Sequence, residues 1–324
     1  MKRHSCHRAV RAVVCAALTV ACLQAALASI QPFGKAIFSK DSRYHQICVY
    51  QNGSIMTLVF GKQKGPTVQT QIDVKEPRKH LLEYSQLAFC GVLHKPQPKS
   101  ILVVGLGGGM IPSDMHYYFP DASVDVVELD PDVLTVAEKF FGFKQGAGIK
   151  AHVRDGRMFV REQIGMGANT KYDIVILDAF NSDYIPFHLM TKEFLEQVQS
   201  ILSPDGVVVA NVFYANRLYD AELATYIKVF GRAQVYMGQN SGNAMILAPG
   251  PKGQMLTPQE AVKRAEDMQR EHKFAFDLRF VAGRLCPNPR PDEKSMVLTD
   301  DRAPVNLLRT QERTGTEAKD KTTR

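Results

Sequence analysis

From Lys99 onward, short continuous apolar runs alternate with segments whose apolar positions recur every three or four residues. Ser100-Ile101-Leu102-Val103-Val104 is the first such run, the pattern of a strand buried on both faces. A helix is predicted from about Pro112 to Phe119, and a second strand from Val124 to Leu129. Asp130-Pro131 opens the next helix, with Asp as N-cap and Pro in the first turn. Its apolar face is Val133, Leu134, Val136, Ala137 and Phe140. Ile149 to Val153, Asp173 to Leu177 and Gly206 to Val212 predict the third to fifth strands. Helices are predicted over Thr191 to Leu202 and Ala221 to Phe230, and Gln234 to Met237 with Asn243 to Leu247 reads as a closing antiparallel pair. Thr257 and Glu260 form a capping box for a helix that runs to His272. Strands alternating with helices predict an α/β fold with a Rossmann-like, doubly wound sheet.

The chain before Lys99 follows another rhythm. Tyr44 to Tyr50 predicts a strand, Gln51-Asn52-Gly53-Ser54 a turn, and Ile55 to Phe60 the return strand, since Asn-Gly between β-type runs signals a hairpin. A small antiparallel β domain is therefore expected over residues 29–95, with a linking helix from about Arg78 to Leu93. The α/β domain takes 96–308, and the polar stretch 309–324, without periodicity, reads as a disordered tail.

The first 28 residues read as an export signal. Lys2, Arg3, Arg8 and Arg11 precede an apolar stretch from Ala12 to Leu23, and Ala26-Leu27-Ala28 is a small-x-small cleavage pattern before Ser29. The expected location is periplasmic or secreted, with no stable membrane insertion after cleavage. An uncleaved membrane anchor and a mitochondrial presequence are the alternatives, and the residues before Cys22 make a poor lipoprotein box. Cleavage leaves Cys48, Cys90 and Cys286, too few for a disulfide framework and without metal-ligand spacing, so buried thiols are expected.

Composition changes this picture little. Of 324 residues, 45% are hydrophobic and 23% charged, which suits one or two domains with a real core and excludes general disorder. The formal charge is +7, but the leader and the tail carry most of it. A near-neutral body argues against a dedicated nucleic-acid binder.

In an open α/β sheet, ligands bind beyond the carboxyl ends of the strands. After strand one comes Gly105-Leu106-Gly107-Gly108-Gly109, where glycines let backbone approach a ligand and a helix N-terminus follows. After strand two comes Glu128, about 20 residues on, where a carboxylate accepts ribose hydroxyls in dinucleotide folds. Asp155-Gly156 follows strand three and reads either as an adenine-edge acceptor or as an ordinary turn. Asp178 directly follows the buried run Ile174-Val175-Ile176-Leu177, and a carboxylate at that edge needs a partner or a task.

Taken in order, the glycine loop, Val-Glu-Leu-Asp, Asp-Gly and the Asp178 loop resemble the spermidine synthase (polyamine aminopropyltransferase) family, on the class I S-adenosylmethionine-dependent transferase fold. The resemblance runs from Tyr44 to Leu308 and includes Leu298-Thr299-Asp300-Asp301-Arg302-Ala303-Pro304-Val305, similar to a C-terminal signature of its bacterial branch. It implies that Gly105, Gly107 and Gly109 line the donor site, Glu128 holds the ribose, and Asp155 with Gly156 meets the adenine edge. It implies Asp178 as the catalytic aspartate, Tyr84 near the amine pocket, Asp183 near the second amine and Gln69 as a substrate-side glutamine. The implied co-substrates are decarboxylated S-adenosylmethionine or S-adenosylmethionine and a small amine, with no metal. Homodimerisation is a family expectation.

Three positions depart from the family. Met110 replaces the aspartate of GGGDG, Ser85 follows the tyrosine, and the loop after Asp178 is longer than DxxDP. Losing an anion that pairs with an ammonium weakens binding by about 1.5–3 kcal/mol. The loop followed by a nonpolar residue also resembles spermidine-synthase-like protein methyltransferases. Three readings stand: aminopropyl transfer, methyl transfer, and an exported non-catalytic module that binds polyamine or nucleoside.

Overall fold

The computed structural model describes residues 33–61, 67–167, 171–179 and 186–313. The leader expected over residues 1–28 lies outside them.

Four strands, β1 (Lys35–Asp41), β2 (Gln46–Asn52), β3 (Ile55–Phe60) and β4 (Thr67–Asp73), form an antiparallel sheet in chain order. The predicted hairpin is present: Asn52 faces Ile55 across a two-residue turn, and Gly53 takes φ +59°, where a side chain is strained. One face of the sheet packs on the following domain. Ile47, Val49, Leu58, Phe60 and Ile72 pack against Met110, Val133, Val136 and Phe141 of the following domain. This small sheet thus has no core of its own; it completes its core on the α/β domain.

The linking segment departs from the single helix expected over Arg78 to Leu93. The chain makes turns and then two short helices, α1 (Glu83–Leu87) and α2 (Cys90–His94). The break at Ala88–Phe89 delivers Phe89 into an aromatic cluster with His80, Tyr118, Phe274 and Phe276. Packing outweighs propensity here, because helices this short draw their stability from tertiary contacts.

The main sheet has eight strands in the order β12-β10-β11-β9-β8-β5-β6-β7. They are β5 (Ser100–Val104), β6 (Ser123–Glu128), β7 (Ile149–Val153), β8 (Tyr172–Leu177), β9 (Leu202–Phe213), β10 (Gln234–Met237), β11 (Asn243–Pro249) and β12 (Leu285–Cys286). Strands β7, β6, β5, β8 and β9 run parallel, and β11, β10 and β12 close the edge antiparallel. Side chains alternate between two cores. Ile101, Val103, Ile174 and Ile176 face α2, α3 (Met110–Tyr118) and α8 (Pro258–His272). Leu102, Val104, Val175 and Leu177 face α6 (Lys192–Ile201) and α7 (Arg217–Phe230).

The predicted caps are in place. Asp130 accepts the Asp132 N–H at 2.9 Å to open α4 (Pro131–Phe140), and Thr257 with Glu260 makes the capping box of α8. One helix was missed: Asp155-Gly156, read as a turn or an adenine contact, caps the ten-residue α5 (Gly156–Gly165). Glycine at the first helical position concealed it. Helix α7 begins at Arg217 under an Asn216 cap, four residues before the expected start. Of Cys48, Cys90 and Cys286 only Cys90 is buried; Cys48 and Cys286 are half-exposed, and all three are free.

After α9 (Leu278–Ala282) the C-terminal signature clasps the domain. Asp300 accepts both terminal nitrogens of Arg157 at 2.7 Å and the Thr191 hydroxyl at 2.7 Å, joining the starts of α5 and α6. Residues 309–313, expected to belong to a disordered tail, are held in the fold, and 314–324 lie outside the described residues. Arg309 ends α10 (Val305–Arg309), the Gln311 carbonyl accepts the Arg217 N–H, and Arg313 pairs with buried Asp220 at 2.9 Å. Pairing with Arg157 holds the Asp300 carboxyl down at about 2. Asp300→Ala is expected to lower stability near neutral pH by about 1.5–3 kcal/mol, the scale of a charge-assisted hydrogen bond. The depressed pKa places this contribution above the unfolded carboxylate value, and it should fade as pH falls toward 2. Urea melts of both proteins at pH 7 and pH 3 check this.

Candidate active site

The glycine loop leaves β5 in a conformation that only glycine adopts easily. Gly105 has φ +102°, and a Cβ there would sit 2.4 Å from the Asp178 carbonyl oxygen. The ends of neighbouring strands β5 and β8 are therefore in direct backbone contact. Strand β4 bolts onto the loop from above, where the Gly108 N–H donates to the Thr70 hydroxyl at 2.8 Å. One residue before, the Gln69 carbonyl accepts the Tyr84 phenol. Tyr84 faces Asp178, and burial together with that carboxylate pushes its phenol pKa well up. Its neighbour Glu83 holds the loop between β10 and β11. Burial would raise the Glu83 carboxyl, but the amides of Gln239, Asn240 and Ser241 outweigh it and pull the pKa down.

Three strand ends carry the acids. Glu128, at the end of β6, accepts the N–H groups of Leu106 at 3.0 Å and Asp130 at 2.9 Å, one on each oxygen. A carboxylate offers about four acceptor sites, so each oxygen keeps capacity for a hydroxyl. Burial raises its carboxyl to about 6. Asp155, after β7, accepts the Met158 N–H at 3.0 Å and meets His188 Nε2 at 2.9 Å. The His188 bond lowers its pKa. Asp178, after β8, accepts from Asn211 Nδ2 at 2.8 Å, and Asn243 Nδ2 in turn donates to Asn211 at 2.9 Å. Desolvation raises the Asp178 carboxyl to about 7, with the Asn211 bond opposing it.

These groups surround one cavity of about 920 Å³ between the small sheet and the carboxyl ends of the large one. Gln69, Tyr84, Gly105 and Gly107 line it, as do Glu128, Asp155, Gly156 and Asp178. Gly109 does not. It starts α3 at φ +80°, and a Cβ there would strike Phe143 at 2.7 Å, so its role is close packing. Asp183 lies outside the described residues. Met110 is 8% exposed and packs into the core shared with the small sheet.

Asn211, His45, His188 and Glu222 are among the lining residues that went unread in the sequence. Asn211 lies in the last turn of residues of β9, and the strand-end rule extended to the fifth strand would have found it. His45 stacks on Phe60 with ring centres 3.9 Å apart and approaches Asp130 at 3.4 Å. His188 precedes α6, and Glu222 sits on α7 among apolar neighbours. No local pattern marks His45 or His188, because chain segments distant in sequence bring them to the cavity.

The spermine/spermidine synthase domain matches residues 81–240. A polyamine aminopropyltransferase of Vibrio vulnificus is 36% identical over 277 residues, covering 84% of this chain and 91% of that protein. The chain belongs to the spermine/spermidine synthase family. Its transferase class and its Rossmann-like fold follow. A probable spermidine synthase from Corynebacterium glutamicum superposes with a TM-score of 0.62 at 18% identity, covering 83% of this chain and 98% of that one. Human methyltransferase-like protein 13, solved in complex with SAH, superposes with a TM-score of 0.52 at 30% identity, covering 65% of this chain and 94% of that one. Synthase and methyltransferase branches thus share this scaffold.

The raised pKa of Asp178 has a consequence for stability. Between the ordinary value of 3.8 and the folded value of about 7, the folded protein holds a proton that the unfolded chain has lost. Stability therefore falls as pH rises through that window. Asp178→Asn removes this penalty. The variant is expected to melt several degrees above wild type at pH 8 and at about the same temperature at pH 4, which thermal denaturation at the two pH values checks.

Proposed function

We propose that this family member transfers an aminopropyl group from decarboxylated S-adenosylmethionine to a di- or polyamine. The observation that carries the reading is Asp178: a cavity-facing carboxyl at about 7, held on one oxygen by Asn211 and set beside Tyr84. The donor supplies an electrophilic carbon next to a sulfonium. Gly105 and Gly107 let backbone approach it, and the spare acceptor capacity of Glu128 suits ribose hydroxyls. Asp155 meets the adenine edge with what its bonds to Met158 and His188 leave free.

Near neutral pH the acceptor amine is protonated, because its pKa is like that of Lys, and it attacks only when neutral. Asp178 takes that proton and fixes the line of approach. The amine nitrogen forms a bond to the aminopropyl carbon as the carbon–sulfur bond breaks. The electron pair of that bond stays on sulfur, and methylthioadenosine leaves. A carboxyl near 7 is suited to this, since a base works best when its pKa lies near the working pH. The raised pKa values at Glu128 and Asp178 come from burial, which disfavours the charged form.

A second reading is methyl transfer from S-adenosylmethionine. Met110 favours it: with an apolar side chain in the core at that position, the anion that would grip a decarboxylated donor's ammonium is missing. The 30% identity to a methyltransferase solved with SAH points the same way.

The test is the nucleoside released when the full chain is incubated with each donor and a panel of diamines. Methylthioadenosine from the decarboxylated donor is expected. S-adenosylhomocysteine from S-adenosylmethionine would replace this reading with methyl transfer, and neither product would overturn both. Asp178→Asn should lower kcat by about 10²–10⁴-fold, the contribution of a positioned acid–base group. Wild-type kcat should fall about tenfold per pH unit below the Asp178 value of about 7, as the base is protonated.

A further inference from the structure

Two asparagines in contact stand in the cavity wall beside Asp178. Asn211 lies on β9 among Val207, Val208, Val209 and Val212 and is 7% exposed; Asn243 opens β11 and lines the same cavity. In the antiparallel register Asn243 faces Phe213 and Met245 faces Asn211, so the two asparagines are diagonal neighbours on one face of the sheet. Asparagine is a poor strand former, and a buried amide is costly unless its hydrogen bonds are made. Here they are made in one direction. Asn243 Nδ2 donates to Asn211 Oδ1 at 2.9 Å, and Asn211 Nδ2 donates to Asp178 Oδ1 at 2.8 Å.

The outer end of this chain of bonds is anchored. The Asn243 N–H donates to the Ser241 hydroxyl at 3.3 Å, and the Asn243 carbonyl accepts the Gly238 N–H at 2.8 Å. Glu83 grips the amides of Gln239, Asn240 and Ser241, so the turn before Asn243 is held by the helix that also carries Tyr84.

The direction of the bonds decides which form of Asp178 they favour. A carboxylate only accepts, so the Nδ2 end of Asn211 stabilises it; a protonated carboxyl would instead donate to the Oδ1 end. Asn243 donates to that Oδ1 and keeps it turned from Asp178. If Asn211 turned round, its Nδ2 would meet Asn243 Nδ2, donor against donor. The pair therefore opposes the burial that raises the Asp178 carboxyl. Tyr84 from α1 faces Asp178, and Glu128 from β6, Asp155 after β7, His188 before α6, Glu222 on α7 and Arg309 line the same cavity. Among the described residues, Asn211 is the one whose bond pulls the Asp178 pKa down.

We propose that Asn243 is a positioning residue for the transfer reaction: acting through Asn211, it holds Asp178 as a proton-accepting carboxylate and leaves Oδ2 of Asp178 for the acceptor amine. The inference rests on Asp178 being the base. It adds that the strength of this base is set from β11, two side chains away.

The experiment compares pH profiles of kcat for the full-length wild type, Asn243→Leu, Asn211→Leu and the double variant, with decarboxylated S-adenosylmethionine and 1,4-diaminobutane. Leucine keeps roughly the volume and removes the amide. Asn211→Leu should move the acid limb up by about one pH unit, the scale of one hydrogen bond to a charged group. Asn243→Leu should move it up by about half a unit or more, with kcat near pH 9 within about threefold of wild type and donor KM within about twofold. The double variant should move it no further than Asn211→Leu, because Asn243 acts through Asn211. An acid limb unmoved in Asn243→Leu overturns the proposal. So do shifts that add in the double variant, and so does an equal loss of kcat at every pH, which marks a structural role. If wild type releases no methylthioadenosine, the aminopropyl reading fails on its own evidence. Carbon-13 NMR of labelled aspartate carboxyls, with Asp178→Asn to assign the signal, then titrates Asp178 directly: an upward shift in Asn243→Leu supports the positioning role, and an unchanged titration overturns it.

Discussion

The cavity depends on the contact between Gly105 and the backbone of Asp178. Strand β5 sits between β6 and β8, so the chain leaves the sheet centre in both directions and a crevice opens where the loops part. Parallel pairing brings Val104 level with Leu177, and the next residues on both strands meet. The Asp178 N–H donates to the Val104 carbonyl at 2.8 Å, and a Cβ on residue 105 would collide with the Asp178 carbonyl. This one close approach sets the distance from the glycine loop to Asp178.

The small sheet is the second half of the site rather than an appendage. Its apolar face finishes its core on α3 and α4, which is where Met110 is spent. Its fourth strand then supplies Thr70 to the glycine loop and the Gln69 carbonyl to Tyr84. Two short connections thus orient the residues above Asp178. Glu83 ties the same region to the β10–β11 loop through three backbone amides.

Three carboxyls of the cavity, Glu128, Asp178 and Glu222, are raised by burial to about 6, 7 and 8. They differ in support. Glu128 is held by two amides, Asp178 by one side-chain amide, and Glu222 by none of the described residues. Fewer donors leave more of the desolvation uncompensated, so the pKa climbs along the series.

The sequence by itself determined the strands and the acids at their ends. Strand β5 is bounded where its apolar run begins and ends, Asp178 follows the fully buried β8, and Glu128 and Asp155 stand at the ends of the less buried β6 and β7. Those signals are local: periodicity, caps and turn residues act within a few positions. Tertiary structure alone decided that Asp155 caps a helix and pairs with His188, that Gly109 packs against Phe143 outside the cavity, and that Met110 belongs to a shared core. It alone joined Asn211 to Asp178, and set Glu222 on the cavity wall instead of in solvent. Each of these turns on which distant segments come together, and burial and pairing are properties of that assembly rather than of any stretch of chain.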